Sequence, residues 1–357
     1  MVLAEDPSKV DESTLPFVSI IIPTFNDSRT IEACLDSIMN LDYPREKYEV
    51  ILVDKSVDDT VEKSSKYEVK VIACKRNLAG ARNEGINAAK GDLIAFIDAD
   101  ATADRRWLLD SVSYFSDPKL GAIGGPNFTP KNASFLSVLY GEILGSFFGS
   151  GPMRKRWETG AEVTDADERS LIGCNFMIRK KSAENILTFN ETLVPCEENL
   201  FFYMLKKKGY NLAYNPKMVV WHERRDKLGS ILKTQMTYGR GRGEFITRWP
   251  GAFKFVFLIP MLFLLYLASL PLLFLLVPFV SSIIPFLSPL ILNIVFLIPL
   301  VIYFCLLCMT SISIGRKQKN FLMFLAAGPL SFGLHVVYAL GFILGILRAL
   351  KRKIKKN

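Results

Sequence analysis

The sequence predicts an α/β domain built on a mostly parallel sheet with helices on both faces, followed by a C-terminal helical transmembrane region. Three observations carry this. First, short β-branched runs alternate with amphipathic stretches from residue 17 to about residue 100, and each strand is an unbroken apolar run, as strands covered on both faces require. Second, no charged side chain occurs over residues 255–314, and residues 321–347 hold only His335 as a group that ionises near neutral pH. Apolar stretches longer than about 18 residues read as membrane spans. Third, the charge is unevenly placed. Of 357 residues 50% are hydrophobic and 22% charged, with a formal charge of +9. Arg240, Arg242 and Arg248 precede the apolar block, Arg316, Lys317 and Lys319 fill its gap, and Lys351, Arg352, Lys353, Lys355 and Lys356 follow it. Basic flanks beside spans match the cytoplasmic side and anionic headgroups, so a membrane partner is expected and a nucleic acid is not.

Taken in order, residues 1–16 are polar and acidic without an apolar core, so they read as a disordered tail rather than a signal peptide. The next domain then stays in the cytoplasm. Phe17-Val-Ser-Ile-Ile-Ile22 is a strand ended by Pro23. Ile31, Cys34, Leu35, Ile38 and Met39, spaced by three and four, form the apolar stripe of a helix. A strand over 48–53 stops at Asp54, a helix starts near Val57, a strand covers 69–74 and a helix 79–89. A fourth strand over 93–97 stops at Asp98. In such sheets ligands bind beyond the carboxyl ends of the strands, so Asn26, Asp54 and Asp98 should converge on one cleft. Each alone is ordinary turn chemistry. Asp98-Ala-Asp100 adds more, because two carboxylates one residue apart at a strand end can hold one hard divalent cation, with phosphate oxygens completing its shell. The six cysteines lack the density of a disulfide scaffold. Cys305 and Cys308 sit in an apolar stretch without a neighbouring acid or histidine and read as packing. His222 closes an apolar run with no second histidine near it, so it reads as structural or site-lining rather than metal-binding.

These pieces, with others further on, resemble the family 2 glycosyltransferases of the GT-A fold. The matching segments are Val18-Ser-Ile-Ile-Ile-Pro-Thr-Phe-Asn26, Val53-Asp54-Lys-Ser-Val-Asp-Asp59-Thr, Asn77-Leu-Ala-Gly80-Ala-Arg82-Asn83-Glu-Gly85 and Phe96-Ile-Asp98-Ala-Asp100. Gly124-Gly-Pro126, Gly173-Cys-Asn175-Phe-Met-Ile-Arg179 and the stretch from Glu197-Glu198 to Gly209-Tyr210 follow in order. The chain looks most like the membrane-anchored branch that includes the succinoglycan-type glucosyltransferases. The resemblance implies that Asp54 binds the nucleotide base of a UDP- or GDP-linked sugar, with Pro23, Thr24, Phe25 and Asn26 as the wall of that pocket. It implies that Asp98 and Asp100 hold Mg²⁺ or Mn²⁺ against the diphosphate, Asp98 counting among the donor-binding residues as well. Arg82 would face phosphates from a helix start, or be a surface arginine near a helix terminus. The family carries Glu-Asp where this chain has Glu197-Glu198, so Glu198 takes the catalytic base position with Glu197 next. A structural acidic cap at the helix start is the competing reading. Where processive synthases have Gln-x-x-Arg-Trp, this chain has Gln235-Met-Thr-Tyr238-Gly239, which argues against processive growth. Arg240 and Arg242 would touch the donor diphosphate or a lipid phosphate, or else anchor to headgroups.

The domain plan is a tail over 1–16, a catalytic domain over 17–226, an interfacial amphipathic helix region over 227–250, a membrane region over 251–348 and a basic tail over 349–357. The apolar segments are 253–279, 283–314 and 321–347. At about 1.5 Å per residue, 255–314 fits two spans around a proline-broken turn between Pro278 and Pro289, or three with minimal turns. The last segment is interrupted at Gly328-Pro329, and a re-entrant course is a third arrangement. Residues 150–170, with Trp157, form either a mobile acceptor loop or a solvated one. The functional expectation is an integral cell-membrane enzyme with a cytoplasmic catalytic domain. It would be metal-dependent and inverting, moving one sugar from a nucleotide-sugar donor to a lipid-linked acceptor, a polyprenyl phosphate or a lipid-linked glycan. A processive polysaccharide synthase is the alternative, and an inactive membrane scaffold the non-enzymatic one.

Overall fold

The computed structural model describes residues 12–354 except 158, 159, 185, 187, 194, 285 and 287. Most of the tail over 1–16 and the end of the tail over 349–357 lie outside the described residues. The chain divides into two compact units. One comprises residues up to Lys131 with Lys155–Glu223, the other Asn132–Arg154 with the residues from Arg224 onward.

In the first unit, seven strands form one sheet: β1 (Val18–Thr24), β2 (Tyr48–Asp54), β3 (Lys70–Ala73), β4 (Leu93–Ile97), β6 (Leu120–Gly124), β8 (Asn175–Arg179) and β9 (Asn211–Tyr214). Their order is β3-β2-β1-β4-β8-β6-β9. All neighbours are parallel except that β8 runs against β4 and β6. The short strands β5 (Ala101–Ala103), β7 (Asn127–Phe128) and β10 (Val220–His222) make a second sheet. The helices are α1 (Ile31–Met39), α2 (Thr60–Ser64), α3 (Leu78–Ala88), α4 (Leu109–Val112), α7 (Lys180–Glu184) and α8 (Glu197–Lys207). Alternate strand residues feed two cores. Ile20 and Ile22 join Ile31, Leu35 and Ile38 of α1, while Ile21 joins Ile86 of α3 and Phe202 of α8. That two-sided burial is why the strands read as unbroken apolar runs, and each such isoleucine contributes about 2 kcal/mol. The mostly parallel sheet is as expected. β1 runs through Pro23 to Thr24 rather than stopping before it. Its pairing with β4 ends at Ile21, so the missing proline N–H falls where β1 is already an edge on that side.

The second unit holds α5 (Phe135–Gly145), α6 (Phe147–Ser150), α9 (Leu228–Arg248), α10 (Ile259–Ile283), α11 (Pro289–Gln318) and α12 (Phe321–Ile354). Three helical segments, Phe255–Ile283, Pro289–Gln318 and Phe321–Ile354, are long and apolar enough to cross a membrane. α10 continues through Pro271 and Pro278 to Ile283 and α11 starts at Pro289, so the helices part within the expected 278–289 stretch. The break expected at Gly328-Pro329 is corrected, because α12 is continuous across Pro329. In apolar helices neighbouring groups re-satisfy the carbonyls a proline frees, so the residue that ends a water-exposed helix is tolerated. α9 lies along α12 through glycines on both helices. A methyl on Gly239 or Gly243 would strike the carbonyl oxygens of Tyr338 and Phe342, and one on Gly341 or Gly345 those of Met236 and Arg240. Between α11 and α12, His335 donates from Nε2 to the Phe148 carbonyl (3.0 Å), which leaves Nδ1 to accept from the Tyr303 hydroxyl (2.9 Å).

Candidate active site

The first wall of the site forms where β1 and β2 end. Asp54 is 7% exposed, and its Oδ1 accepts from Thr24 Oγ1 and Ser56 Oγ, both at 2.6 Å. Its Oδ2 accepts from the Ser56 N–H at 3.0 Å. Asn26 turns the chain with φ 59°, a left-handed conformation that asparagine tolerates because its short amide bonds locally. Its Oδ1 accepts from the Val57 N–H at 3.0 Å, and its own N–H donates to Ser56 Oγ at 2.8 Å. Phe25 stands exposed, with the Lys55 ammonium 4.6 Å from its ring centre. Pro23, Thr24, Phe25, Asn26 and Asp54 thus lie together on adjoining strand ends.

The second wall forms beyond β4, where Asp98-Ala-Asp100 leads into β5. β5 pairs antiparallel with β10, setting His222 opposite Ala101. This brings His222 Nε2 to 2.9 Å from Asp100 Oδ1. On the other side β4 pairs with β8, Ile97 opposite Asn175 being the last pair, and Asp98 and Cys174 are the residues just beyond it. They face the same side as Phe96 and Phe176, whose rings stack 4.4 Å apart, because side chains two residues apart share a face. One donor atom each from Asp98, Cys174 and His222 lies within 4.8 Å of the others.

Arg82 joins this wall to α8. It is 2% exposed, and its Nη1 donates to Glu197 Oε1 at 2.8 Å while Nη2 donates to the Gly173 carbonyl at 2.9 Å. Nη2 is also 3.6 Å from Asp98 Oδ1. Arg82 therefore turns inward to protein groups rather than outward from the helix start, and it is no surface arginine. Its Nε and Glu197 Oε2 are buried without hydrogen-bond partners. Next to it, Asn83 brackets Phe189, accepting from its N–H at 2.8 Å and donating to its carbonyl at 2.9 Å, which fixes the approach to α8. Cys196 launches that helix at φ 88°, an outlying conformation for a non-glycine residue. Glu197 follows buried and Glu198 half-buried. A Cβ added at Gly173 would sit 3.0 Å from Arg82 Nη2 and 3.5 Å from Glu198 Cγ, so these groups adjoin. Arg240 and Arg242 belong to the second unit. Arg242 is buried there, its guanidinium 4.5 Å from the ring centre of Phe257 and 5.7 Å from that of Phe245.

Residues 19–187 match the family described as glycosyl transferase family 2. The dolichyl N-acetyl-alpha-D-glucosaminyl phosphate 3-beta-D-2,3-diacetamido-2,3-dideoxy-beta-D-glucuronosyltransferase of Methanococcus voltae is 28% identical over 271 residues, 71% of this chain and 81% of its own. The poly-beta-1,6-N-acetyl-D-glucosamine synthase of Staphylococcus epidermidis is 26% identical over 255 residues, 68% of this chain and 59% of its own. Residues 19–187 form a glycosyl transferase family 2 domain. This glycosyltransferase also shares its fold with the solved mannosyltransferase PcManGT from Pyrobaculum calidifontis, in complex with GDP-Man and Mn2+. The TM-score is 0.54 and the identity 19%, covering 97% of this chain and 90% of that one.

The strand-end donors of this glycosyltransferase suit a divalent cation, since two carboxylates and an imidazole supply hard oxygens and a borderline nitrogen. Desolvation raises the Asp98 carboxyl to about 6 even though Arg82 pulls it down, with Asp100 adding to the rise. Burial and the adjacent Glu198 carboxylate raise Glu197 to about 7, against the pull of Arg82. The sequence reading missed the inward course of Arg82 and the closeness of His222 and Cys174 to Asp98. The periodicity of each segment carries no mark of a three-residue strand pairing across more than a hundred residues.

Proposed function

We propose that this glycosyltransferase moves a single sugar, with inversion, from a UDP- or GDP-linked donor to a lipid-linked acceptor at the cytoplasmic face of a membrane. The observation that carries the proposal is the gathering of Asp98, Asp100, His222 and the α8 start within one unit, in a chain whose other unit holds three helices able to cross a membrane. Asp54 with Pro23, Thr24, Phe25 and Asn26 receives the nucleoside. Asp98, Asp100 and His222 hold Mg²⁺ or Mn²⁺, which offsets the charge that builds on the diphosphate leaving group. Glu198 takes the proton of the acceptor hydroxyl as that oxygen bonds to the anomeric carbon. The bond from this carbon to the diphosphate breaks on the opposite face, and the nucleoside diphosphate departs. Arg82, through Glu197, positions the start of α8, and Glu197 is the second candidate for the base. Of Arg240 and Arg242, Arg240 is the one left for a lipid phosphate, because Arg242 is buried against the rings of Phe245 and Phe257.

A lipid-linked acceptor is supported by the likeness to the Methanococcus voltae enzyme, whose name specifies a dolichyl-linked sugar phosphate. It also suits a chain with membrane-crossing helices, because a tethered site meets a bilayer-borne acceptor at high effective concentration. The PcManGT complex with GDP-Man and Mn2+ supports the donor class and the divalent cation. The likeness to the Staphylococcus epidermidis synthase favours a second reading, processive polymerisation, against which Tyr238-Gly239 stands in place of Arg-Trp.

Incubating the purified protein with labelled nucleotide sugars, Mn²⁺ and a panel of polyprenyl phosphates and polyprenyl-linked glycans as acceptors tests both readings. The expected product carries one added sugar and disappears in Asp100→Asn. Long polymer would establish the synthase. Absence of transfer and of donor hydrolysis across the panel, with nucleotide binding unchanged in Asp100→Asn, would sink the enzymatic reading.

A further inference from the structure

Cys174 is the member of the strand-end cluster that the proposed chemistry leaves unused. Its Sγ shares the 4.8 Å neighbourhood with Asp98 and His222, the side chain is buried, and it accepts a hydrogen bond from Asn127 Nδ2 at 3.1 Å. The backbone holds it there. The next residue, Asn175, is fully buried, accepts from Trp107 Nε1 at 2.8 Å, and donates to the carbonyls of Pro126 (2.9 Å) and Met218 (2.6 Å). Asn175 also stands opposite Ile97 in the β4–β8 ladder, which sets the thiol across from Asp98. Cys34, the other cysteine near this strand end, has its Sγ 3.7 Å from the Asp98 carbonyl rather than in the donor cluster. A site of carboxylates and phosphate oxygens alone suits Mg²⁺, whereas thiolate and imidazole favour softer cations, with Co²⁺ and Zn²⁺ above Mn²⁺ in affinity.

Resting on the reading of Asp98 and Asp100 as a metal centre, we propose that Cys174 is a further ligand of that centre. It joins Asp98 and His222 and biases the site toward thiophilic divalent cations, Zn²⁺ and Co²⁺, over Mg²⁺. Titrating Co²⁺ into the metal-stripped full-length protein in detergent tests this by absorption. A thiolate-to-cobalt charge-transfer band is expected. Zn²⁺ should displace it at stoichiometric amounts, and an equal concentration of Mg²⁺ should not. Cys174→Ser should lose the band and bind Zn²⁺ at least about tenfold more weakly, a loss at the low end of that for disturbing a metal ligand's support. The wild-type spectrum is informative even if the variant folds poorly. Cobalt binding without the band, a band that persists in folded Cys174→Ser, or equal Zn²⁺ affinity in the two proteins overturns the proposal. If Mn²⁺-dependent sugar transfer accompanies a bandless cobalt spectrum, the thiol ligand fails and the transferase reading stands. If Co²⁺, Zn²⁺ and Mn²⁺ all fail to bind, both fail.

Discussion

Arg82 and Glu197 form a buried ion pair, 2% and 3% exposed, whose partners come from helices far apart in sequence. Two charges are withdrawn from water, and the return is positional, since the same guanidinium contacts Asp98 on one side and the start of α8 on the other. Removing one partner strands the other, so Arg82→Ala should lower stability by about 3–5 kcal/mol, measured by chemical unfolding in detergent. The raised Glu197 carboxyl gives a pH test. The folded protein holds this proton more tightly than the unfolded chain. Its contribution is therefore full below the ordinary carboxyl value of 4.5 and is lost as pH rises toward about 7. Glu197→Gln cannot ionise, so its unfolding midpoint relative to wild type should rise between about pH 5 and pH 8. Parallel curves would mean that Glu197 is not the titrating group. For catalysis, Glu198→Gln should lower kcat by about 10²–10⁴-fold with donor binding retained, the range for loss of a general base, and Glu197→Gln by less. Equal losses would move the base role to Glu197.

At the scale of elements, the α9–α12 pair depends on an absence of side chains. Gly239 and Gly243 on one helix and Gly341 and Gly345 on the other let the backbones touch, so a single methyl meets a carbonyl oxygen that belongs to the neighbouring helix and cannot swing aside. Gly243→Ala should cost about 1–3 kcal/mol, the range for overpacking, and lower the thermal midpoint in detergent. Gly229→Ala, at the open start of α9 where nothing lies within 4 Å, should leave it unchanged or slightly raised through helix propensity. If the two substitutions behave alike, the seam does not hold the pair. The sequence disclosed much of this architecture unevenly. Residues 48–53 and 93–97 were legible as strands because burial on both faces makes a run such as Leu93-Ile-Ala-Phe-Ile97 continuously apolar. The placing of Asn26, Asp54 and Asp98 just beyond or at the ends of neighbouring strands was legible because a parallel sheet aligns strand ends. The glycine seam was not, since Tyr238-Gly-Arg-Gly-Arg242 takes its meaning from a helix about a hundred residues away. Nor was the β5–β10 pairing that carries His222 to Asp100, because three-residue strands have too short a period to declare themselves. Pro329 misled for a different reason: the rule that proline ends a helix holds in water, where freed carbonyls find solvent.

For the whole molecule, the excess of positive charge becomes directional once its anchors are known. Near the ends of α9 and α12, the buried Glu244 carboxylate pairs with Arg248 at 3.2 Å, with Arg348 at 3.7 Å, and with Arg352. One carboxylate among three arginines leaves a net positive cluster beside apolar helices, which favours the anionic cytoplasmic leaflet. The chain passes between the two units at 131–132, 154–155 and 223–224, and the proposed donor of the first unit is a nucleotide sugar. We therefore expect the first unit to be cytoplasmic. Native cysteines allow a clean test, because Cys34, Cys74, Cys174 and Cys196 are buried in that unit, while Cys305 and Cys308 lie in an apolar helix. Lys66, with its side chain 66% exposed in the first unit, is a suitable place for a reporter. Lys66→Cys should react with a membrane-impermeant maleimide only after intact cells are opened, and the unmodified protein should react little in either state. Labelling of Lys66→Cys in intact cells at the rate seen in opened ones would set the first unit outside. It would then separate the site from a cytoplasmic donor and overturn the proposed orientation.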